Sequence, residues 1–114
     1  ADELLWTMSA RWSDEAALCV VMAAKGSPGS YKKGTRINNL EAAGALHDVE
    51  VFHAGTALDG DAIVANGGRV LGVTALGDTV KTAHDQAYMA VDLIDWEDGY
   101  CRRDIGWRAI QREK

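Results

Sequence analysis

Residues 49–76 read VEVFHAGTALDGDAIVANGGRVLGVTAL, and this stretch decides the fold. Its first residues alternate between two faces with a period of two, which is typical of a β-strand. The pairs Asp59-Gly60 and Asn66-Gly67 are strong hairpin-turn signals, because both favour the positive φ angles of tight turns. The stretch therefore predicts a meander of hairpins with three antiparallel strands, at about residues 49–57, 61–66 and 69–76.

The segments on either side add a further strand and a helix. Residues 16–24 form a nearly continuous apolar run, short enough for a strand that is buried on both faces. After the meander, apolar residues recur every three or four positions from Val80 to Ile94, behind Asp78 or Thr79 as the helix cap. An antiparallel sheet packed with helices is an α+β fold.

The two ends of the chain give weaker signals. Asp2 is a candidate cap for a short helix in which Leu4, Leu5, Met8 and Trp12 share a face. The tail from residue 100 to residue 110 predicts a further strand or an extended segment.

Length and composition limit the classes of protein to consider. With 114 residues and 12.3 kDa, the chain fits a single domain over residues 1–114. The net charge of −5 argues against a nucleic-acid surface, which needs a basic excess. Cys19 and Cys101 lie far apart, so we expect reduced thiols and no metal site. Without a basic leader or an apolar stretch of about 20 residues, we expect a cytoplasmic protein with no membrane partner.

Four segments of the sequence carry a resemblance to a known family. They are VVMAAKG at residues 20–26 with Pro28, Gly29 and Tyr31 after it, VFHAGT at 51–56, NGGRVL at 66–71 and CRRDIGWRA at 101–109. In this order and with these gaps, the segments span about residues 16–112. The chain resembles the C-terminal domain of glycinamide ribonucleotide synthetase, also called phosphoribosylamine–glycine ligase, of the ATP-grasp family.

The resemblance implies a ligase of purine biosynthesis that joins 5-phosphoribosylamine to glycine with ATP hydrolysis. In that family the ATP and Mg²⁺ sites lie mainly in the N-terminal and ATP-grasp domains, which would be the partners of this chain. The sequence contains no phosphate loop of the Gly-x-x-x-x-Gly-Lys type. We therefore expect a substrate-closing domain that is inactive alone, with no catalytic residue of its own. The alternative is a free-standing, non-catalytic binding module derived from that domain.

Arg69 is the leading candidate for substrate binding. A guanidinium forms bidentate, charge-assisted bonds to phosphate, and the backbone amides of Gly67 and Gly68 can add donors. Alternatively, the two glycines serve only a tight hairpin and Arg69 is a surface residue.

Lys25, Tyr31 and Lys33 flank a loop and are further candidates to steer or cover an anionic substrate. Ordinary surface lysines on a solvated loop are the alternative. This loop has Ser27 where the family usually carries a tyrosine, so its covering role depends on Tyr31.

His53 shares a strand face with Val49 and Val51, which favours a histidine satisfied by the backbone beside the core. The tail charges Arg102, Arg103, Asp104 and Arg108 either anchor neighbouring domains or pair among themselves at the surface.

Overall fold

A computed structural model describes residues 7–10, 15–26 and 29–113, and for residues 7–10 it describes the backbone alone. The strands are β1 (Thr7–Ala10), β2 (Glu15–Ala24), β3 (Arg36–Ile37), β4 (Val49–His53), β5 (Thr56–Asp59), β6 (Ala62–Ala65), β7 (Arg69–Gly77) and β8 (Gly99–Tyr100). The helices are α1 (Leu40–Gly44), α2 (Val80–Leu93) and α3 (Trp107–Glu113). The α+β class predicted from the sequence is confirmed.

The strands form two antiparallel sheets. The larger sheet has five strands in the order β1-β2-β7-β4, with β8 paired to the far end of β2. The smaller sheet has the order β3-β6-β5. The long strands β2 and β7 pair from Ala16 opposite Gly77 to Ala23 opposite Arg69, with one irregularity after Met22. This central pair holds the larger sheet together.

The predicted single meander is wrong in its pairing. The stretch expected as one strand over residues 49–57 breaks after His53, so that β4 joins the larger sheet and β5 joins the smaller one. Only the β5–β6 hairpin forms as expected, with Gly60 at φ 64° in its turn. The strands β6 and β7 belong to different sheets, so residues 66–68 form a crossover between sheets and not a hairpin turn.

One helix covers one face of the larger sheet. The N-terminus of α2 is capped by the Thr79 hydroxyl, which accepts a hydrogen bond from the Thr82 amide at 3.1 Å. The buried side of α2 is rich in alanine, and small side chains let the helix approach the sheet closely. The core between these layers consists mainly of the following residues: Leu18, Val20, Met22, Leu71, Val73, Ala83, Ala87, Ala90 and Val91.

Both ends of the chain differ from the sequence-based expectation. Residues 7–10 form a strand that pairs with β2, so the predicted helix over Met8 is wrong, and its other members Asp2, Leu4, Leu5 and Trp12 lie outside the described residues. The tail forms the short β8 and then α3 instead of a continuous extended segment. Within the described ranges, no helix is long and apolar enough to cross a membrane.

Candidate functional site

The crossover at residues 66–69 is held against the end of β4. The Asn66 amide donates to the Gly55 carbonyl at 2.8 Å, and the Ala54 and Gly55 amides both donate to the Val70 carbonyl at 3.0 Å. These bonds fix the backbone on both sides of Arg69. They bring together the second and third segments on which the family resemblance rests.

Gly55 is a site residue that the sequence analysis missed. A Cβ atom at this position would overlap the carbonyl oxygen of Arg69, so only glycine allows the two chains to lie this close. Gly67, by contrast, has ordinary room, because a Cβ there would lie 3.6 Å from the Arg69 oxygen and 3.7 Å from the Gly55 Cα. The VFHAGT segment contained the signal, since a glycine inside a strand pattern marks a close backbone approach.

Arg69 begins β7 with an exposed side chain. Among the residues that the structure describes, its guanidinium has no ion-pair or hydrogen-bond partner, and the amides of Gly67 and Gly68 have no acceptor. A planar cation and two adjacent free amides are a donor set suited to an oxyanion such as phosphate. The hairpin interpretation of the two glycines fails, so a tight turn no longer explains them.

Backbone hydrogen bonds bring the candidate loop to the same end of the molecule. The Ala24 amide donates to the Gly68 carbonyl at 2.9 Å, and the Gly34 amide donates to the Ala65 carbonyl at 2.7 Å. Lys25 and Lys33, the neighbours of Ala24 and Gly34, therefore flank the crossover. This loop depends on Gly26 at φ 94°, where a Cβ atom would overlap the Ser30 carbonyl oxygen.

The side chains of the three loop candidates differ in whether they are exposed or already contact the protein. Lys33 is exposed, whereas the Lys25 ammonium donates to the Glu97 carbonyl at 2.8 Å and so points toward β8. Tyr31 is half-buried and packs against the core. Ser27 lies outside the described residues. Of the three candidates, Lys33 is thus the one with an exposed side chain that makes no hydrogen bond or ion pair within the described part of the chain.

His53 differs from its predicted role. Its side chain is exposed, and Nδ1 lies 2.9 Å from the Thr56 hydroxyl, so a side chain and not the backbone is its partner. This bond spans the break between β4 and β5, next to Gly55. We assign it to the support of that bend.

Arg69 stands at the end of a cleft of about 430 Å³ on the larger sheet. The other residues that line it are uncharged: Cys19, Val21, Phe52, Ala54, Leu71 and Gly72. The cleft thus combines an apolar floor with one cationic end. In the described parts of the chain, no three His, Cys, Asp or Glu side chains lie close enough to hold a metal ion.

The charged tail residues pair at the surface. Arg102 binds Asp104 at 2.9 Å and Arg103 binds Asp92 at 2.6 Å, and all four side chains are about half exposed or more. The hydrogen bond from Arg102 holds the pKa of the Asp104 carboxyl below its usual value. Arg108 lies over the Trp107 ring at 5.6 Å. Of the two interpretations of the tail, pairing among its own charges therefore holds, within the described residues, only for Arg102 with Asp104, since Arg103 pairs with Asp92 of α2.

The family model described as "Phosphoribosylglycinamide synthetase, C domain" matches residues 17–108. A phosphoribosylamine–glycine ligase of Mesorhizobium japonicum is 61% identical over 106 residues, which are 93% of this chain and 25% of that protein. The ligase of Escherichia coli is 52% identical over 110 residues, again 93% of this chain and 25% of the relative.

A crystal structure of phosphoribosylamine–glycine ligase from Thermotoga maritima shares the fold. It matches with a TM-score of 0.68 and 34% identity, over 78% of this chain and 21% of that one. The chain therefore spans about a quarter of the length of the curated relatives that it matches. The family model covers far more than half of the chain, and so the chain belongs to the family of phosphoribosylglycinamide synthetase C domains.

Proposed function

We propose that this chain is the substrate-closing domain of a phosphoribosylamine–glycine ligase, inactive alone. The ligase would join 5-phosphoribosylamine to glycine with ATP hydrolysis, giving glycinamide ribonucleotide. One observation carries the proposal: nearly the whole chain matches ligases of that name, but it spans only about a quarter of their length. ATP and Mg²⁺ would bind mainly to the other three quarters, in the N-terminal and ATP-grasp domains.

Within this domain, we propose that Arg69 binds the phosphate of phosphoribosylamine. Three features support this role: the exposed guanidinium, the two free amides of Gly67 and Gly68, and the rigid support that Gly55 provides. Lys33 would add a long-range positive charge, which raises the encounter rate with an anionic substrate more than its affinity. Lys25 and Tyr31 would shape the loop, since their side chains are occupied with the Glu97 carbonyl and the core.

The first experiment assays the 114-residue chain and the full-length protein that carries it for ADP release dependent on glycine and phosphoribosylamine. We expect turnover from the full-length protein alone. Robust turnover by the short chain would contradict an accessory role. Absence of turnover from both would favour the non-catalytic module.

The second experiment replaces Arg69 by alanine in the full-length protein. Hydrogen bonds to a charged group contribute about 1.5–3 kcal/mol, so we expect the Michaelis constant for phosphoribosylamine to rise about 10- to 150-fold. The constants for glycine and ATP should stay within about twofold. Arg36→Ala is the matched control, because Arg36 is also exposed but lies on β3 in the smaller sheet. An unchanged constant for phosphoribosylamine would refute the role of Arg69.

A further inference from the structure

The junction between β4 and β5 lies where the two sheets meet, and a side-chain hydrogen bond spans it. His53 ends β4 and pairs with Leu71 in the larger sheet. Thr56 begins β5 and pairs with Ala65 in the smaller sheet. Nδ1 of His53 lies 2.9 Å from the Thr56 hydroxyl. Among the described residues, no other side-chain hydrogen bond joins a strand of one sheet to a strand of the other.

The two residues inside this bend, Ala54 and Gly55, hold the backbone that carries Arg69. Both amides donate to the Val70 carbonyl at 3.0 Å, and the Gly55 carbonyl accepts from the Asn66 amide at 2.8 Å. A Cβ atom at Gly55 would overlap the Arg69 carbonyl oxygen, so the bend presses directly on this peptide. The path of the bend therefore sets the direction in which the Arg69 side chain leaves the backbone.

The bend is short, and its two ends belong to different sheets. Strand pairing fixes each end to its own sheet, whereas the bond between His53 and Thr56 fixes the two ends relative to each other. Loss of this bond would leave only backbone contacts to hold the bend against Arg69. A guanidinium binds phosphate through two parallel hydrogen bonds, a geometry that depends on its orientation. A small shift of the bend would therefore weaken phosphate binding.

We propose that His53 and Thr56 are positioning residues for the Arg69 guanidinium, an inference that rests on the proposed role of Arg69 in binding phosphoribosylamine. Their hydrogen bond holds the bend, and the bend holds the peptide from which the Arg69 side chain extends. Neither residue has to touch the substrate, because the backbone contacts of the bend convey the effect.

Thr56→Val in the full-length protein removes the hydroxyl and nearly conserves the volume of the side chain. We expect the Michaelis constant for phosphoribosylamine to rise about 3- to 10-fold, the net effect of one hydrogen bond. The turnover number and the constants for glycine and ATP should stay within about twofold. Thr56→Ser keeps the hydroxyl and should restore the constant of the unmodified protein. Equal constants in the Val and Ser variants would overturn the proposal.

Two amide variants of His53 identify the ring nitrogen that matters. Asparagine places its amide near the position of Nδ1, whereas glutamine places it near that of Nε2. His53→Asn should therefore retain most of the affinity for phosphoribosylamine, and His53→Gln should lose as much as Thr56→Val. His47→Gln is the matched control, because the His47 side chain is 90% exposed on the loop before β4. Equal constants in the two His53 variants would contradict a bond through Nδ1.

A double variant tests whether the pair acts through Arg69. The effects of residues that act through a shared group are not additive. In a protein that already carries Arg69→Ala, Thr56→Val should therefore raise the Michaelis constant for phosphoribosylamine by less than about twofold. A rise as large as in the unmodified protein would show that Thr56 acts independently of Arg69 and would overturn the proposal.

Amide hydrogen exchange separates this inference from the proposed function, because it requires no turnover. In full-length Thr56→Val, peptides that contain Ala54, Gly55 and Asn66 should exchange at least about fivefold faster, since the bend opens more often. Faster exchange, together with an unchanged constant in Arg69→Ala, would refute the phosphate role of Arg69 and support the tie across the bend. Unchanged exchange in Thr56→Val, together with a raised constant in Arg69→Ala, would refute the positioning role alone.

Discussion

At the scale of single residues, three glycines near Arg69 have roles that differ from those that their sequence context suggests. The pair Gly67-Gly68 has the appearance of a turn, but neither residue has a positive φ angle. Gly55 has no turn signal beside it, yet its backbone lies directly against the Arg69 carbonyl. Close approach, and not turn geometry, sets the need for glycine here.

Gly55→Ala should therefore destabilise the chain by about 1–3 kcal/mol, the usual cost of forcing an extra methyl group into a packed site. Gly67→Ala, two residues from Arg69, should change the free energy of unfolding by less than about 0.5 kcal/mol, because its added Cβ meets only ordinary contacts. Urea denaturation of both variants provides the measurement. Equal destabilisation would show that the described crossover geometry is wrong.

Tyr88 provides a second prediction at this scale. Burial raises the pKa of its hydroxyl to about 12, while that hydroxyl donates to the Arg102 carbonyl and accepts from the Ile105 amide at 3.4 Å. The folded state thus keeps a proton that the unfolded chain loses near pH 10. The contribution of the protonated Tyr88 hydroxyl to the free energy of unfolding is therefore full below pH 10. It is lost as the pH rises toward 12.

Tyr88→Phe removes the hydroxyl and so tests both its hydrogen bonds and its raised pKa. Near neutral pH it should lower the free energy of unfolding by about 0.5–1.5 kcal/mol, since two polar partners lose their hydrogen bonds. The difference in stability between the two proteins should then shrink between pH 10 and pH 12. A difference that stays constant over this range would contradict the raised pKa.

At the scale of elements, the start of α2 is marked by its N-cap. The helix has no acidic residue in its first turn, so the Thr79 hydroxyl is the main local signal that starts it. Thr79→Ala should cost about 1 kcal/mol in the free energy of unfolding. Thr79→Ser, which keeps the hydroxyl, should retain most of that stability, and a similar loss in both variants would refute the cap.

At the scale of the whole molecule, the tail helix α3 returns to the start of α2. The Glu113 carboxylate accepts from the Val80 amide at 2.7 Å and from the Lys81 amide at 3.3 Å. These amides lie at the positive end of the helix dipole, where an anion is favourable. A residue far along the chain thereby completes the helix terminus.

Glu113→Gln should lower the free energy of unfolding by about 0.3–1 kcal/mol at low ionic strength and by less in 1 M salt, which screens exposed charges. Glu97→Gln is the matched control, because it makes the same change in charge at an exposed site away from the helix end. Urea midpoints at the two salt concentrations provide the measurement. A loss of stability that did not depend on salt would contradict an electrostatic role.

The sequence by itself determined the locally encoded features: the strand over residues 16–24, the capped helix over residues 80–93, the hairpin turn at Gly60 and membership of the family. The strand, the helix and the turn follow from periodicity, caps and turn residues, which act within a few positions of the chain. The family was indicated by the resemblance of four ordered segments.

Tertiary structure alone decided the division into two sheets, the strand at residues 7–10 and the place of Gly55 against Arg69. The physical reason is that β4 takes its partner β7 from beyond the β5–β6 hairpin, whereas β5 pairs with its immediate neighbour β6. Pairing energy across β2 and β7 therefore overrides the local preference for one continuous meander.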